Sequence, residues 1–271
     1  MEKKYIYRCE DSAEGIFTGI YDAWASVHRH EENRIEVCGK EWEEQLLFAE
    51  YTEVIPDTEK SEKVQRSVRL RISEEAYEMV MKAVLSQDPE KGEVIYRFLI
   101  YAYREGARAC RSYGNPWVMR LFEAVRNYDN ESHHLKGFLR FDMQENGLLM
   151  AHYAPKNNVL GDLMEHFSDR LNGEDFMIFD EKRRIAGVHR KGRQWFVYRL
   201  NEEEYRDVSD AYVQKDSYAA LWRIFHRKIA IAERENPGLQ RNNLPLRFRP
   251  YMTEFREPEP TSRGLHEPLI G

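Results

Sequence analysis

Between Pro56 and Gly137 the chain sets four helix starts in succession, and this run of punctuation limits the fold more than any other feature. Pro56-Asp57 breaks the preceding segment and brings a carboxylate to the first amides of a helix, and Ser73 offers a hydroxyl for the same purpose. Gly92 precedes a third helix, and Asn115-Pro116 sets a cap before a proline at the first helical position. Apolar residues then recur at helical spacing: Val64 and Val68, then Ile95, Phe98, Leu99 and Ala102, then Met119, Phe122 and Val125.

Strand-like runs flank this helical block. Before it come Tyr5 to Cys9, Arg34 to Val37 and Phe48 to Ile55, with a helix opened by Asp11 and Glu14 and carrying Ile16, Phe17, Ile20, Trp24 and Val27 on one face. After it, Gly137 marks a change to strand, and Glu145-Asn146-Gly147 reads as a turn between Phe138 to Phe141 and Leu148 to Ala151. A helix follows over Val159 to Phe167, then three short antiparallel strands at Phe176 to Phe179, Ile185 to His189 and Trp195 to Tyr198. The expected class is α+β, helices packed with short, mainly antiparallel sheets. It fills residues 1–255 as one domain or two closely packed halves, with 256–271 as a tail without apolar periodicity.

Hydrophobic residues make up 42% of the chain and aromatics 13%, enough for a core despite the 32% charged fraction. No apolar run approaches the ~20 residues that span a bilayer, and the first residues show no secretory pattern. Cys9, Cys38 and Cys110 form no C-x-x-C pair, which fits reduced thiols and a cytosolic address. They also fall short of the about four thiolates of an iron–sulfur cluster, so no cofactor is implied.

The net charge of −6 is unevenly placed. Residues 1–64 hold 16 acidic and 8 basic side chains, whereas residues 217–256 hold 3 acidic and 8 basic. In a final helix, steps of 100° put Leu221, Phe225, Ile229 and Ala232 on one face and Arg223, Arg227 and Arg234 on the other. Arg241, Arg247 and Arg249 continue the positive charge. Guanidinium forks suit phosphate, so these six arginines are the candidate nucleic-acid contacts; a solvated face paired with the acidic N-terminal third is the ordinary alternative. A second basic row, Lys60, Lys63, Arg66 and Arg69, winds around the helix after Asp57 and reads first as a solvated face, second as a phosphate row. On the helix after Gly92, Tyr96 and Tyr103 lie two turns apart, a pair that fits core or interface better than base stacking.

The densest polar cluster is Asn130 to Phe141. Glu131, His133 and His134, with Lys156, are the candidate acid–base and anion-clamping groups, and Lys156-Asn157-Asn158 a candidate anion site before a helix. His152 or His166 could join Glu131 and His133. Adjacent histidines point apart and cannot chelate one metal as an i, i+4 pair would, so no metal site is assigned. Histidines as packed or capping groups, and an asparagine as a plain N-cap, are the alternatives. P-loop, G-x-G-x-x-G, G-x-S-x-G and zinc-deaminase patterns are absent.

Tyr7-Arg8-Cys9-Glu10-Asp11, Glu14 to Phe17, Asn130-Glu131, His133, Gly137-Phe138, Arg140-Phe141, Pro155 to Leu160, His166-Phe167 and Arg170 carry a family resemblance, which continues through Leu221-Trp222, Arg234, Asn236, Gln240, Pro245 and Thr253 to Phe255. In these residues the chain resembles an uncharacterised bacterial family labelled "probable DNA metabolism protein". The resemblance implies genomic partnership with a radical SAM protein of DNA modification or repair, and relatives in which the domain is fused ahead of uracil-DNA glycosylase-like domains. It brings no established catalytic residues, and neither glycosylase motifs nor the C-x-x-x-C-x-x-C radical SAM motif occurs here. The expected function is an accessory nucleic-acid-binding protein in DNA repair or modification, with DNA and the radical SAM protein as partners. The alternatives are an enzyme on a damaged or modified nucleotide, and a protein-interaction module without nucleic-acid contact.

Overall fold

Local capping chemistry sets most helix starts. In the computed structural model, which describes residues 4–38, 48–144 and 147–202, Asp57 accepts from the Lys60 amide, Ser73 from that of Ala76 and Asn115 from that of Trp117. The first helix is capped one residue later than expected. Ser12, not Asp11, accepts from the Gly15 amide at 2.9 Å.

The chain divides into two compact units, residues 1–131 with 156–159, and residues 132–155 with those from 160 onward. The first holds β1 (Lys4–Glu10), α1 (Ala13–Ala25), β2 (Asn33–Cys38), β3 (Ala49–Glu53), α2 (Thr58–Arg71), α3 (Glu74–Val84), α4 (Lys91–Glu105), a 3-10 turn (Gly106–Arg111) and most of α5 (Pro116–Phe138). Its strands pair in the order β2-β1-β3, all parallel. Parallel strands need cover on both faces, and Ile6, Tyr7, Arg8 and Cys9 are accordingly all buried. Arg8 is accommodated by an ion pair to Glu36 at 3.1 Å and by stacking over Tyr51. Ile16, Phe17 and Ile20 of α1, Val64 and Val68 of α2, and Ile95, Phe98, Leu99 and Ala102 of α4 fill the core. α4 lies close on β2 because Gly92 has no side chain: a Cβ there would stand 2.9 Å from the side chains of Ile35 and Val37.

The second unit holds the end of α5, β4 (Asp142–Met143), β5 (Leu149–Tyr153), α6 (Leu160–Arg170), β6 (Phe176–Asp180), β7 (Ile185–His189) and β8 (Phe196–Arg199). Its sheet runs β4-β5-β6-β7-β8, with only β5 and β6 parallel. Gly187 of β7 leaves room for Met164 of α6, whose sulfur would lie 2.3 Å from a Cβ at that position.

The α+β expectation holds, whereas the described strand pairings divide evenly between parallel and antiparallel. The strand expected at Phe138 to Phe141 is instead the end of α5 and its exit. Gly137 is exposed and costs a helix only about 1 kcal/mol, while buried Leu135 and Leu139, joined by a backbone hydrogen bond, hold the turn around it. Met119 and Phe122 are partly exposed, and Val118, Leu121 and Ala124 form the inner face of α5. Among the described residues, no helix is long and apolar enough to cross a membrane. The expected final helix with its arginines, and the tail over 256–271, lie outside the described residues.

Candidate functional site

Glu131 is 1% exposed, so its carboxylate must find partners inside the protein. It finds them in the segment that the sequence marks as an anion site. The amides of Lys156 and Asn157 donate to its two oxygens at 3.1 and 2.7 Å, and the Asn157 side-chain amide donates to it at 2.7 Å. Asn157 also accepts from the Gln87 amide at 2.9 Å, and the Asn158 amide donates to the Leu85 carbonyl. The Lys156 and Asn157 amides are thus engaged by a carboxylate of the chain itself, Glu131. Asn157 is a bridge between three segments rather than a helix cap, and α6 begins only at Leu160. Lys156 keeps an exposed side chain above this clasp.

His133 and His134 lie within α5, not at a helix-to-strand junction, His133 exposed and His134 half-buried. Their ring centroids are 6.2 Å apart with planes tilted by 51°, and His134 lies 6.0 Å from the Phe138 ring. Successive helical residues diverge, as the spacing requires. Ser132, next to them, donates to Asp162 of α6 at 3.0 Å.

His152 pairs with Glu181 through Nδ1 at 2.5 Å. Nothing in the sequence marks Glu181 as its partner, because parallel pairing of β5 with β6 brings the two together; the register sets Tyr153 beside Asp180. His166 has a different setting. Its Nε2 is buried without a hydrogen-bond partner, and burial, helped by Lys136 and Arg170, holds its pKa below the ordinary histidine value. Among the described residues, no group of three or more His, Cys, Asp or Glu side chains is placed to hold a metal ion. Cys9 and Cys110 are buried thiols, and burial pushes that of Cys110 up.

The basic row on α2 is fully described. Lys63, Arg66, Arg69 and Arg71 are exposed; Lys60 pairs with Asp22, Lys63 with Glu59 and Arg69 with Glu74. Arg71 was missed by the sequence spacing, since it falls two residues after Arg69 rather than three. The candidate contacts Arg223, Arg227, Arg234, Arg241, Arg247 and Arg249 lie outside the described residues.

No curated protein matches the chain. A family model described as a domain of unknown function, DUF4130, matches residues 89–254, which include α4, α5, the Glu131–Asn157 clasp and the whole second sheet. The match spans more than half of the 271 residues, and the chain belongs to the DUF4130 family.

Proposed function

We propose that the protein is an accessory nucleic-acid-binding factor in DNA repair or modification that acts with a radical SAM partner. The observation that supports the reading is the outer side of α2, where four cations face solvent and two, Arg66 and Arg71, have no carboxylate within ion-pair distance among the described residues. The remaining pairs there are solvent-exposed and worth about 0–1 kcal/mol each, so a phosphate can exchange for the carboxylate at little cost. The partner follows from the family resemblance. Arg223, Arg227 and Arg234 are further candidate phosphate contacts.

Fluorescence anisotropy with labelled single- and double-stranded DNA tests the binding. Affinity should fall steeply with salt, and changing Arg66, Arg223, Arg227 and Arg234 to Ala should flatten that slope. Absence of binding at low salt, combined with copurification of the radical SAM protein at high salt, would instead identify a protein-interaction module.

The His152–Glu181 pair favours a second reading, an enzyme acting on a damaged or modified nucleotide, since a carboxylate-oriented imidazole is a general acid–base unit. Turnover of a modified nucleotide by the purified protein, abolished in His152→Ala, would support it. Equal turnover in the variant would dismiss this pair as its site.

A further inference from the structure

Beside α2 a groove of about 670 Å³ opens within the first unit, lined by residues of α1, α2 and α4. Its volume falls in the ~300–1,000 Å³ range of small-molecule sites. One wall is aromatic, built from Tyr21 and Trp24 of α1 and Tyr103 of α4. Trp24 and Tyr103 meet edge to face at 5.0 Å, and His30 braces Trp24 from another side at 4.5 Å, so the rings are held without a ligand. Two cations of α2, Lys63 and Arg71, line the same groove, Lys63 standing 6.0 Å from the centre of the Tyr21 ring.

These cations can take an anion. The partner of Lys63 is Glu59, one turn away and 78% exposed, a contact that holds little energy. Arg71 has no carboxylate within ion-pair distance among the described residues. Its charge does act on Tyr103: burial raises that phenol's pKa, and the Ser67 hydroxyl and Arg71 work in the opposite direction. Tyr103 donates to Ser67 Oγ at 2.8 Å, which leaves the Ser67 hydroxyl proton to donate to an occupant.

An occupant that satisfies both kinds of lining group carries a flat ring and a negative charge. We propose that this groove binds one nucleotide, its base against Trp24 and Tyr103 and its phosphate on Lys63 and Arg71. Stacking on aromatic rings accepts any base, while Ser67 offers one hydrogen bond to a base edge. The α2 cations outside the groove would then carry the flanking phosphates of a strand. The fit of a nucleotide stands on the groove alone; only its source, a strand of DNA, rests on the reading proposed above.

Calorimetric titration of the full chain with thymidine monophosphate, thymidine and inorganic phosphate tests the site, and oligo(dT) identifies the source. The monophosphate should bind at least about tenfold more tightly than thymidine or phosphate, because each of those engages only the rings or only the cations. The double variant Lys63→Ala/Arg71→Ala should weaken it by a similar factor, and Trp24→Phe should remove the tryptophan fluorescence change on binding. Phosphate binding as tightly as the nucleotide, or unchanged affinity in the double variant, overturns the proposal. Oligo(dT) binding that is indifferent to the double variant leaves the accessory nucleic-acid reading intact and removes this groove from it. Monophosphate binding that the double variant abolishes, with no oligo(dT) binding at low salt, keeps the groove and removes the strand.

Discussion

In the first unit the buried polar groups reach far along the chain. Glu93 accepts from the Ile35 amide 58 residues away, Arg97 donates to the carbonyls of His30, Glu31 and Asn33, and Asn157 accepts from Gln87 70 residues away. In the second unit buried Ser132 makes one such long tie, to Asp162 30 residues on, but buried Asp180 accepts from Arg183 three residues on, and His189 donates to the Glu174 carbonyl 15 residues back. Long-range ties fix the packing of elements, so their loss should be felt throughout the first unit. Local ties shape turns, and their loss should be absorbed nearby.

The sharpest way to break that contrast is Glu131→Ala. Three donors would lose a charged acceptor in a buried setting, and the expected loss is about 3–5 kcal/mol, read from urea unfolding. A loss no larger than that of an exposed residue would mean that the clasp does not organise the first unit.

The two tight glycines come next. Gly92→Ala presses on two β-branched side chains and the Ile35 carbonyl, none of which can swing away, and should cost about 1–3 kcal/mol. Gly187→Ala meets Met164, an unbranched side chain that can turn aside, so it should cost less and be rescued by Met164→Ala. Equal costs would remove this difference between the units.

Two titrations sharpen the comparison. Tyr96 is fully buried, and burial pushes its phenol pKa up to about 12, opposed chiefly by the Asn33 hydrogen bond. A raised folded value means that the stability it brings is complete below the unfolded pKa of about 10 and is lost as pH rises to about 12. The stability difference between the protein and Tyr96→Phe should therefore fall by about 1.4 kcal/mol per pH unit across that window. Asp180 has the same sign in acid. Burial raises its pKa although Arg183 opposes the shift, so its contribution is complete below the ordinary carboxylate value and is lost as pH rises through its raised one. The stability difference from Asp180→Asn, followed by urea midpoints in mild acid, should shrink as pH rises.

The smallest effect belongs to the groove. Lys63→Ala/Arg71→Ala should change stability by no more than about 0.5 kcal/mol, since both side chains are exposed. A larger loss would show that these cations hold the first unit together.

The helices of the first unit were legible because their signals are local. Asp57, Ser73 and Asn115 cap within three residues, and Val64, Val68, Ile95, Phe98, Leu99 and Ala102 reach the core at the expected spacing. The paired tyrosines of α4 divide in a way that spacing does not specify: Tyr96 enters the core, and Tyr103, two turns on, reaches the groove. Glu131 and Lys156 meet through the backbone amide of Lys156 rather than its side chain, and the sequence offers no sign that the carboxylate is itself the anion held there. The Glu181 partner of His152 had no signal either, because strand register depends on pairing between distant segments.

By itself, the sequence determined where most helices begin, the inward faces of α2 and α4 and the α+β class, since capping and apolar periodicity act over one or two turns of chain. Tertiary structure alone decided the parallel order β2-β1-β3, the closure of Lys156 and Asn157 on Glu131, and the meeting of an aromatic wall with two cations. Each of those needs segments tens of residues apart to meet, and their geometry is set by the packing of the core rather than by any residue's own preference.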